Sequence, residues 1–158
     1  MSESLTAVTN TIPATTGEWL EKGCRVEQQV RKMEQITVQT EHVLHAGMYA
    51  RTVRLAANVI IVSVLIKVPT TLIVNGSARV FAGDKWHTLE GYNVIAASAG
   101  RKMIYVTMQP TEITMLFPTK AKTIEQTEQE FTDETEGLLS RTSDHDSIVI
   151  TSEHLCQE

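Results

Sequence analysis

The sequence predicts a mainly β fold, an antiparallel β-sandwich or barrel with helices at both ends. Two observations lead to this class. Between residues 35 and 119, short segments rich in β-branched residues alternate with turn residues. No helical pattern separates these segments, whereas a parallel sheet requires helices between its strands. We therefore expect about eight short strands in one domain.

The N-terminal part predicts an arm followed by a helix. Residues 1–17 are rich in Ser, Thr, Asn and Ala and contain a proline and a glycine, which favours an extended arm. Residues 18–34 have the spacing of a short amphipathic helix. Its apolar face would consist of Trp19, Val26, Val30 and Met33.

Residues 35–119 predict the β-domain itself. The segments ITVQTEHVL and MYARTVRLAA alternate between apolar and polar positions, and VIIVSVLIKV is a nearly unbroken β-branched run, typical of a strand buried on both faces. Asn75-Gly76 is the strongest hairpin signal and predicts a turn between TTLIV and SARVF. We expect Gly91 and Gly100 to interrupt the later strands and Pro118 to end the last one.

Residues 120–158 predict a C-terminal helix and tail. The segment KTIEQTEQEFTDETEGLLSR indicates a surface helix, or two short ones broken near Gly137. Its narrow stripe would contain Ile124, Thr127, Glu128 and Phe131. In the polar tail, SIVIT has the composition of an edge strand that adds to a neighbour.

Composition and charge exclude several classes of function. The net charge of -5 argues against a nucleic-acid binder, because phosphate contacts need clustered Lys and Arg. The N-terminus lacks the pattern of a secretory signal, and the longest apolar run, LAANVIIVSVLI, is too short to span a bilayer, so we expect no membrane contact. Cys24 and Cys156 form no CxxC pair, and we expect two unpaired thiols in a reducing cytoplasm.

Two segments carry a resemblance to a known family. HAGMYARTVRLAANVIIVSVLIKVPTTLIVNGSARVF and AASAGRKMIYVTMQPTEITMLFPT resemble the small cupin-type proteins encoded by tailed bacteriophages, over about residues 35–130. The positions that carry it are His45, Gly47, Tyr49, Arg51, Asn75-Gly76 and Ala99-Gly100-Arg101-Lys102. The resemblance implies a single-domain, cupin-like jelly roll, that is, a double-stranded β-helix.

The same resemblance places unsuitable residues at the family's metal-ligand positions. Ile66 and Thr70 stand where the family has two histidines, and Pro69 stands where it has a carboxylate; only Lys67 matches. None of the three substituted residues is a good ligand for zinc, iron or manganese. We therefore expect no metal, no cofactor and no enzymatic activity.

The histidines outside these positions have competing interpretations. His42 and His45 could be a pair of metal ligands, but with no third ligand nearby we favour polar turn residues. For His87 a loop contact is expected, and for His145, in SDHDS, a solvated loop is favoured over a weak cation site. A Ser-His-Asp arrangement is not excluded by residue types, but the chain has no G-x-S-x-G motif and no phosphate loop.

These expectations favour a structural component of a bacteriophage virion, such as a head decoration protein or a tail or fibre adaptor. Its partners would be other virion proteins and further copies of itself, and it would be made in the host cytoplasm and located in the virion. One alternative is a cupin-type enzyme or small-ligand-binding protein with an altered site, and another is a phage factor that binds a host protein. The candidate binding residues, lining the barrel or an interface, are Tyr49, Arg51, Lys67, Thr70 and Arg101.

Overall fold

The computed structural model describes residues 10–138 and 147–151. Within these residues the chain forms nine strands, two α-helices and one 3₁₀ turn, so the predicted mainly β class is confirmed. The strands are β1 (Thr11–Ile12), β2 (Gln39–His45), β3 (Met48–Leu55), β4 (Ile60–Val62), β5 (Thr70–Ala82), β6 (Lys85–Ala97), β7 (Ile104–Thr107), β8 (Thr111–Pro118) and β9 (Ser147–Ile150). The helices are α1 (Gly17–Arg31) and α2 (Ile124–Phe131), and the 3₁₀ turn is Thr135–Gly137. None of these helices is long and apolar enough to cross a membrane.

The long strand β5 joins the two sides of a jelly-roll barrel. Neighbouring strands follow the order β9-β2-β3-β8-β5-β6-β1, and β7 pairs with β5 on one side and with β4 on the other. The first half of β5 pairs with β8, and its second half, residues 78–81, pairs with β7. The alternate side chains that point inward from these strands form one apolar core. This cupin-like arrangement agrees with the fold that the sequence predicts.

The predicted turn at Asn75-Gly76 is wrong. Gly76 lies inside the continuous strand β5, opposite Gly91 of β6, and the hairpin turns instead at Gly83-Asp84. The glycine is needed because β8 begins very close to it: a Cβ at Gly76 would lie 2.6 Å from the backbone oxygen of Pro110. Gly91 also lies within its strand, so the interruption expected there is wrong as well.

The run VIIVSVLIKV is not one strand buried on both faces. Only Ile60–Val62 forms β4, and Ile60 is exposed. Beyond β4 the chain leaves the ladder and returns to it at a single bridge between Ile66 and Arg101. A β-branched run predicts extended backbone but does not determine how much of it finds a pairing partner.

Helix α1 lies on the barrel over the side chain of Lys102. Its buried residue is Gly23, where an added Cβ would lie 3.4 Å from Cδ of Lys102. The Nζ of Lys102 reaches Oε2 of Glu27 at 2.6 Å, and Trp19 packs on Phe81 with ring centroids 5.0 Å apart. The helix ends at Arg31, three residues before the predicted end at residue 34.

The C-terminal elements pack against the barrel core and extend its sheet. Helix α2 begins after Thr123, whose Oγ1 accepts a hydrogen bond from the backbone N–H of Gln126, and ends at the buried Phe131. Strand β9 pairs in parallel with β2, so the neighbour to which SIVIT adds is a strand of its own chain. The histidine in SDHDS, His145, and the second cysteine, Cys156, lie outside the described residues.

Candidate binding site in the barrel

A mostly apolar cavity of about 120 Å³ lies in the barrel interior. Its walls come from β3, β5, β8, the β4 and β7 segments, and the C-terminal residues that follow α2. The apolar side chains include Val53, Ile66, Leu72, Met103, Ile113, Met115, Phe131 and Leu138. Four polar residues complete the lining: Arg51, Arg101, Tyr105 and Ser63, whose hydroxyl donates to the backbone oxygen of Val64 at 2.8 Å.

The turn before β7 places Arg101 in this wall. Gly100 has a φ of +78°, a conformation that glycine adopts at low cost, and the backbone N–H of Arg101 donates to the oxygen of Ile66 at 3.1 Å. The side chain of Arg101 is only 1% exposed. Its Nη1 donates to the backbone oxygens of Val68 and Ser98 at 3.3 and 2.9 Å, and its Nη2 donates to Oγ1 of Thr70 at 2.6 Å.

Arg101 retains donor capacity and an uncompensated charge. A guanidinium has five N–H donors, and three hydrogen bonds engage three of them. The free donors lie on Nε, which is buried and without a partner, and on the adjacent Nη2. No carboxylate in the described part of the chain forms an ion pair with Arg101, and burial lowers its pKa from the usual value. An anion in the cavity would satisfy both the donors and the charge.

Arg51, by contrast, has a carboxylate partner. Its Nη1 lies 3.6 Å from Oε2 of Glu128, which α2 carries into the barrel, and its guanidinium lies over the ring of Phe131. Tyr49, on the same face of β3, accepts or donates a 2.7 Å hydrogen bond with Nδ1 of His42. Burial raises the pKa of Tyr49, and the nearby charge of Arg51 partly opposes this.

The five predicted binding residues therefore separate into three locations. Arg101 and Thr70 are hydrogen-bonded to each other, and Arg101 lines the cavity. Tyr49 and Arg51 are neighbours on β3 beside Glu128, and Arg51 also reaches the cavity wall. Lys67 does not line the cavity: its side chain is exposed, and its Nζ forms a 2.6 Å ion pair with Asp133 at the surface.

The lining does not fit a metal cation. Ile66 is part of the apolar wall, and Thr70 directs its hydroxyl to Arg101. Within residues 10–138 and 147–151, no three His, Cys, Asp or Glu side chains cluster as metal ligands would. Two guanidinium groups would repel a cation, so the chemistry of these donors favours an anion.

Several residues of this region were not recognised from the sequence. The prediction of a polar turn at His42 is wrong, because His42 lies within β2 and is buried. The prediction of a loop at His87 is also wrong, since His87 lies in β6. Tyr105 and Glu128 were not proposed as site residues, although the position of Glu128 on the apolar stripe of α2 was a usable signal.

Comparisons with known proteins give structural neighbours but no family. No protein-family model matches the chain, and no curated protein matches it either. Among solved structures, KdgF from Halomonas sp. is 15% identical with a TM-score of 0.44, covering 54% of this chain and 83% of that one. A cupin superfamily protein from Desulfitobacterium hafniense is 12% identical with a TM-score of 0.42, covering 57% and 86%.

A third neighbour is an enzyme. Salicylate 1,2-dioxygenase from Pseudoaminobacter salicylatoxidans is 10% identical with a TM-score of 0.43, covering 73% of this chain and 36% of the dioxygenase. These identities and scores are too low to transfer any activity to this chain.

Proposed function

We propose that this protein is a non-catalytic, cupin-like binding protein whose barrel holds a small organic monocarboxylate. The observation that carries this proposal is the guanidinium of Arg101, buried at the cavity wall without a carboxylate partner among the described residues. An unpaired buried charge is costly, and a bound carboxylate can accept two parallel hydrogen bonds from adjacent guanidinium nitrogens.

The size of the cavity limits the ligand. An apolar protein cavity of about 150 Å³ accommodates benzene. The cavity here is about 120 Å³, and its walls are mostly aliphatic. A carboxylate with a short aliphatic body fits this space, whereas an aromatic ring that bears a carboxylate needs more room than benzene itself and exceeds it.

The lining also favours binding over catalysis. General acid–base chemistry needs a group whose pKa lies near the working pH. The polar lining residues are Arg51, Arg101, Ser63 and Tyr105, and burial raises the pKa of Tyr105 to about 12. Among the described residues the lining contains no carboxylate, imidazole or thiol, the usual general acids and bases, which supports the proposal that this protein is not an enzyme.

The test is a thermal-shift series with acetate, butyrate, benzoate and 2-naphthoate at constant pH and ionic strength. At one hundred times Kd, a ligand should stabilise the fold by about 2.7 kcal/mol, which corresponds to about 5–11 °C in Tm for a chain of this length. We expect butyrate to raise Tm, and the larger benzoate and the uncharged butyramide and benzamide to have no effect. An equal response to the amides, or no response to any carboxylate, would contradict the proposal.

Substitutions in this chain test whether the ligand that shifts Tm binds in the barrel cavity. Arg101→Met should abolish the carboxylate shift, while Arg79→Met, which removes an exposed guanidinium from the barrel surface, should preserve it. If Arg101→Met does not fold, Val53→Phe provides a second test, because it fills the cavity and leaves Arg101 in place. A full ligand response in folded Val53→Phe protein would place the ligand elsewhere.

A second candidate function is the structural role in a virion, acting through copies of this chain and other virion proteins. Exposed apolar side chains near the two sheet edges favour it: Tyr92 on β6 is 66% exposed, and Ile148, Val149 and Ile150 on β9 are exposed as well. Such residues are typical of surfaces that a partner covers. Washed phage particles should contain the protein at a constant stoichiometry, measured by mass spectrometry, and its absence would exclude this role.

A further inference from the structure

A second, larger depression lies outside the barrel, between α1 and β4. It has a volume of about 700 Å³, within the range of protein ligand sites. Its apolar walls come from the C-terminal half of α1, the segment that follows α1, and β4. These walls consist of Val30, Met33, Ile36, Val38, Val59, Ile60, Ile61 and Val62.

One wall of this groove is an open strand edge. In the described part of the chain, β4 pairs only with β7. Val59 accepts a backbone hydrogen bond from β7 at 2.9 Å, and Ser63 donates one to the residue before β7 at 2.8 Å. Because backbone groups alternate sides along an antiparallel strand, those of Ile60 and Val62 point away from β7, toward the groove. This edge offers two N–H donors and two carbonyl acceptors.

The apolar surface of the groove is exposed to an unusual degree. Met33 is 57% exposed, and Ile36 and Ile60 are also among the exposed large apolar residues of the described chain. Open strand edges beside apolar surface are template sites for another strand, and proteins that leave them uncovered commonly use them for binding.

The rim of the groove is acidic. The lining contains four carboxylates, Glu27, Glu34, Glu134 and Glu136, against the single guanidinium of Arg31. Nη2 of Arg31 donates a hydrogen bond to Oε1 of Glu27 at 2.8 Å. The other three carboxylates therefore make the electrostatic potential along the groove negative. Lys102 offsets part of the charge of Glu134 at 3.8 Å. A complementary partner therefore carries positive charge next to its apolar side chains.

We propose that this groove binds an extended basic and apolar peptide of a partner protein, which adds as a strand to the free edge of β4. The undescribed segments of this chain match the acidic groove poorly in charge. Residues 1–9 contain no Lys or Arg, residues 139–146 carry two Asp against one Arg, and residues 152–158 carry two Glu and no Lys or Arg. The proposal is independent of the ligand assigned to the barrel.

Fluorescence anisotropy with a labelled peptide, Lys-Val-Lys-Val-Lys-Val-Lys, tests this proposal. We expect saturable binding that weakens as salt is raised, because the rim charges are exposed. A peptide with Glu in place of every Lys should not bind. Equal binding of the two peptides, or no binding of the lysine peptide at low salt, would overturn the proposal.

Two variants separate strand addition from charge attraction. Glu34→Lys/Glu136→Lys should weaken lysine-peptide binding about tenfold or more, while Glu125→Lys, an exposed change on α2 outside the groove, should leave it within about twofold. Val62→Pro removes one N–H donor that points toward the groove and leaves the hydrogen bonds between β4 and β7 intact. It should also weaken binding of the lysine peptide about tenfold. Unchanged binding in the double variant, or in folded Val62→Pro protein, would contradict the assigned groove.

Discussion

The ion pair between Arg51 and Glu128 connects β3 with α2 beside the barrel cavity. Both residues are nearly inaccessible, with 8% and 2% of their surface exposed, and their charged atoms lie 3.6 Å apart. Glu128→Gln removes the negative charge and preserves the size and shape of the side chain. The guanidinium of Arg51 would then lose a compensating charge in the interior of the protein.

The expected cost can be worked out from this geometry. Two unit charges 3.6 Å apart attract by about 4.6 kcal/mol at an effective dielectric constant of about 20. Removing one partner of a buried pair destabilises proteins by about 3–5 kcal/mol, which agrees with this figure. For a chain of 158 residues, such a loss lowers Tm by about 6–20 °C.

Urea and thermal unfolding followed by circular dichroism would measure this loss. The matched control is Glu125→Gln, an exposed change in the first turn of the same helix, which should alter stability by less than about 0.5 kcal/mol. A loss below about 1 kcal/mol for Glu128→Gln would refute the reasoning that Glu128 neutralises Arg51.

Two further predictions concern other parts of the barrel. Burial raises the pKa of Tyr105 to about 12, above its unfolded value of 10.0, so the folded state holds this proton more tightly. The resulting stabilisation is complete below about pH 10 and is lost as pH rises toward 12, by about 3 kcal/mol. Urea unfolding against pH should show an alkaline loss about 3 kcal/mol larger in Tyr92→Phe protein than in Tyr105→Phe protein, in which only the raised pKa of Tyr49 still contributes. Gly76→Ala should destabilise by about 3 kcal/mol or more, because its Cβ would overlap the backbone at the start of β8. Gly91→Ala, which has open space but a φ of +73°, should cost about 1–2 kcal/mol in the same unfolding assay, and the opposite order would contradict the close approach.

The regular parts of the fold were predictable because their signals are local. Tyr49, Arg51 and Leu55 alternate with outward residues along β3, and the period of two places them on one buried face. Pro118 ends β8 as expected, since proline provides no N–H to continue a ladder. The Asn75-Gly76 signal failed because glycine serves two purposes, a tight turn or a close backbone approach, and local sequence does not distinguish them.

The candidate site was predictable only in part. The sequence pattern of the β-domain identified basic residues as candidates for binding. It did not separate Arg101, which lines the cavity, from Lys67, which lies at the surface and pairs with Asp133. The chain between β4 and β5 is irregular, so no period assigns a face to its side chains. His42 was misassigned for a related reason, since its burial depends on where β2 begins.

By itself, the sequence determined the mainly β class and the inward face of the regular strands. These properties depend on residue type and on periods of a few residues. Only the tertiary structure decided which charges meet. Glu128 reaches Arg51 across a long stretch of chain, whereas Arg101 donates hydrogen bonds to neutral oxygens and forms no ion pair with a carboxylate in the described part of the chain. Such pairings depend on strand register and on helix docking, which arise from the packing of the whole barrel and not from any local pattern.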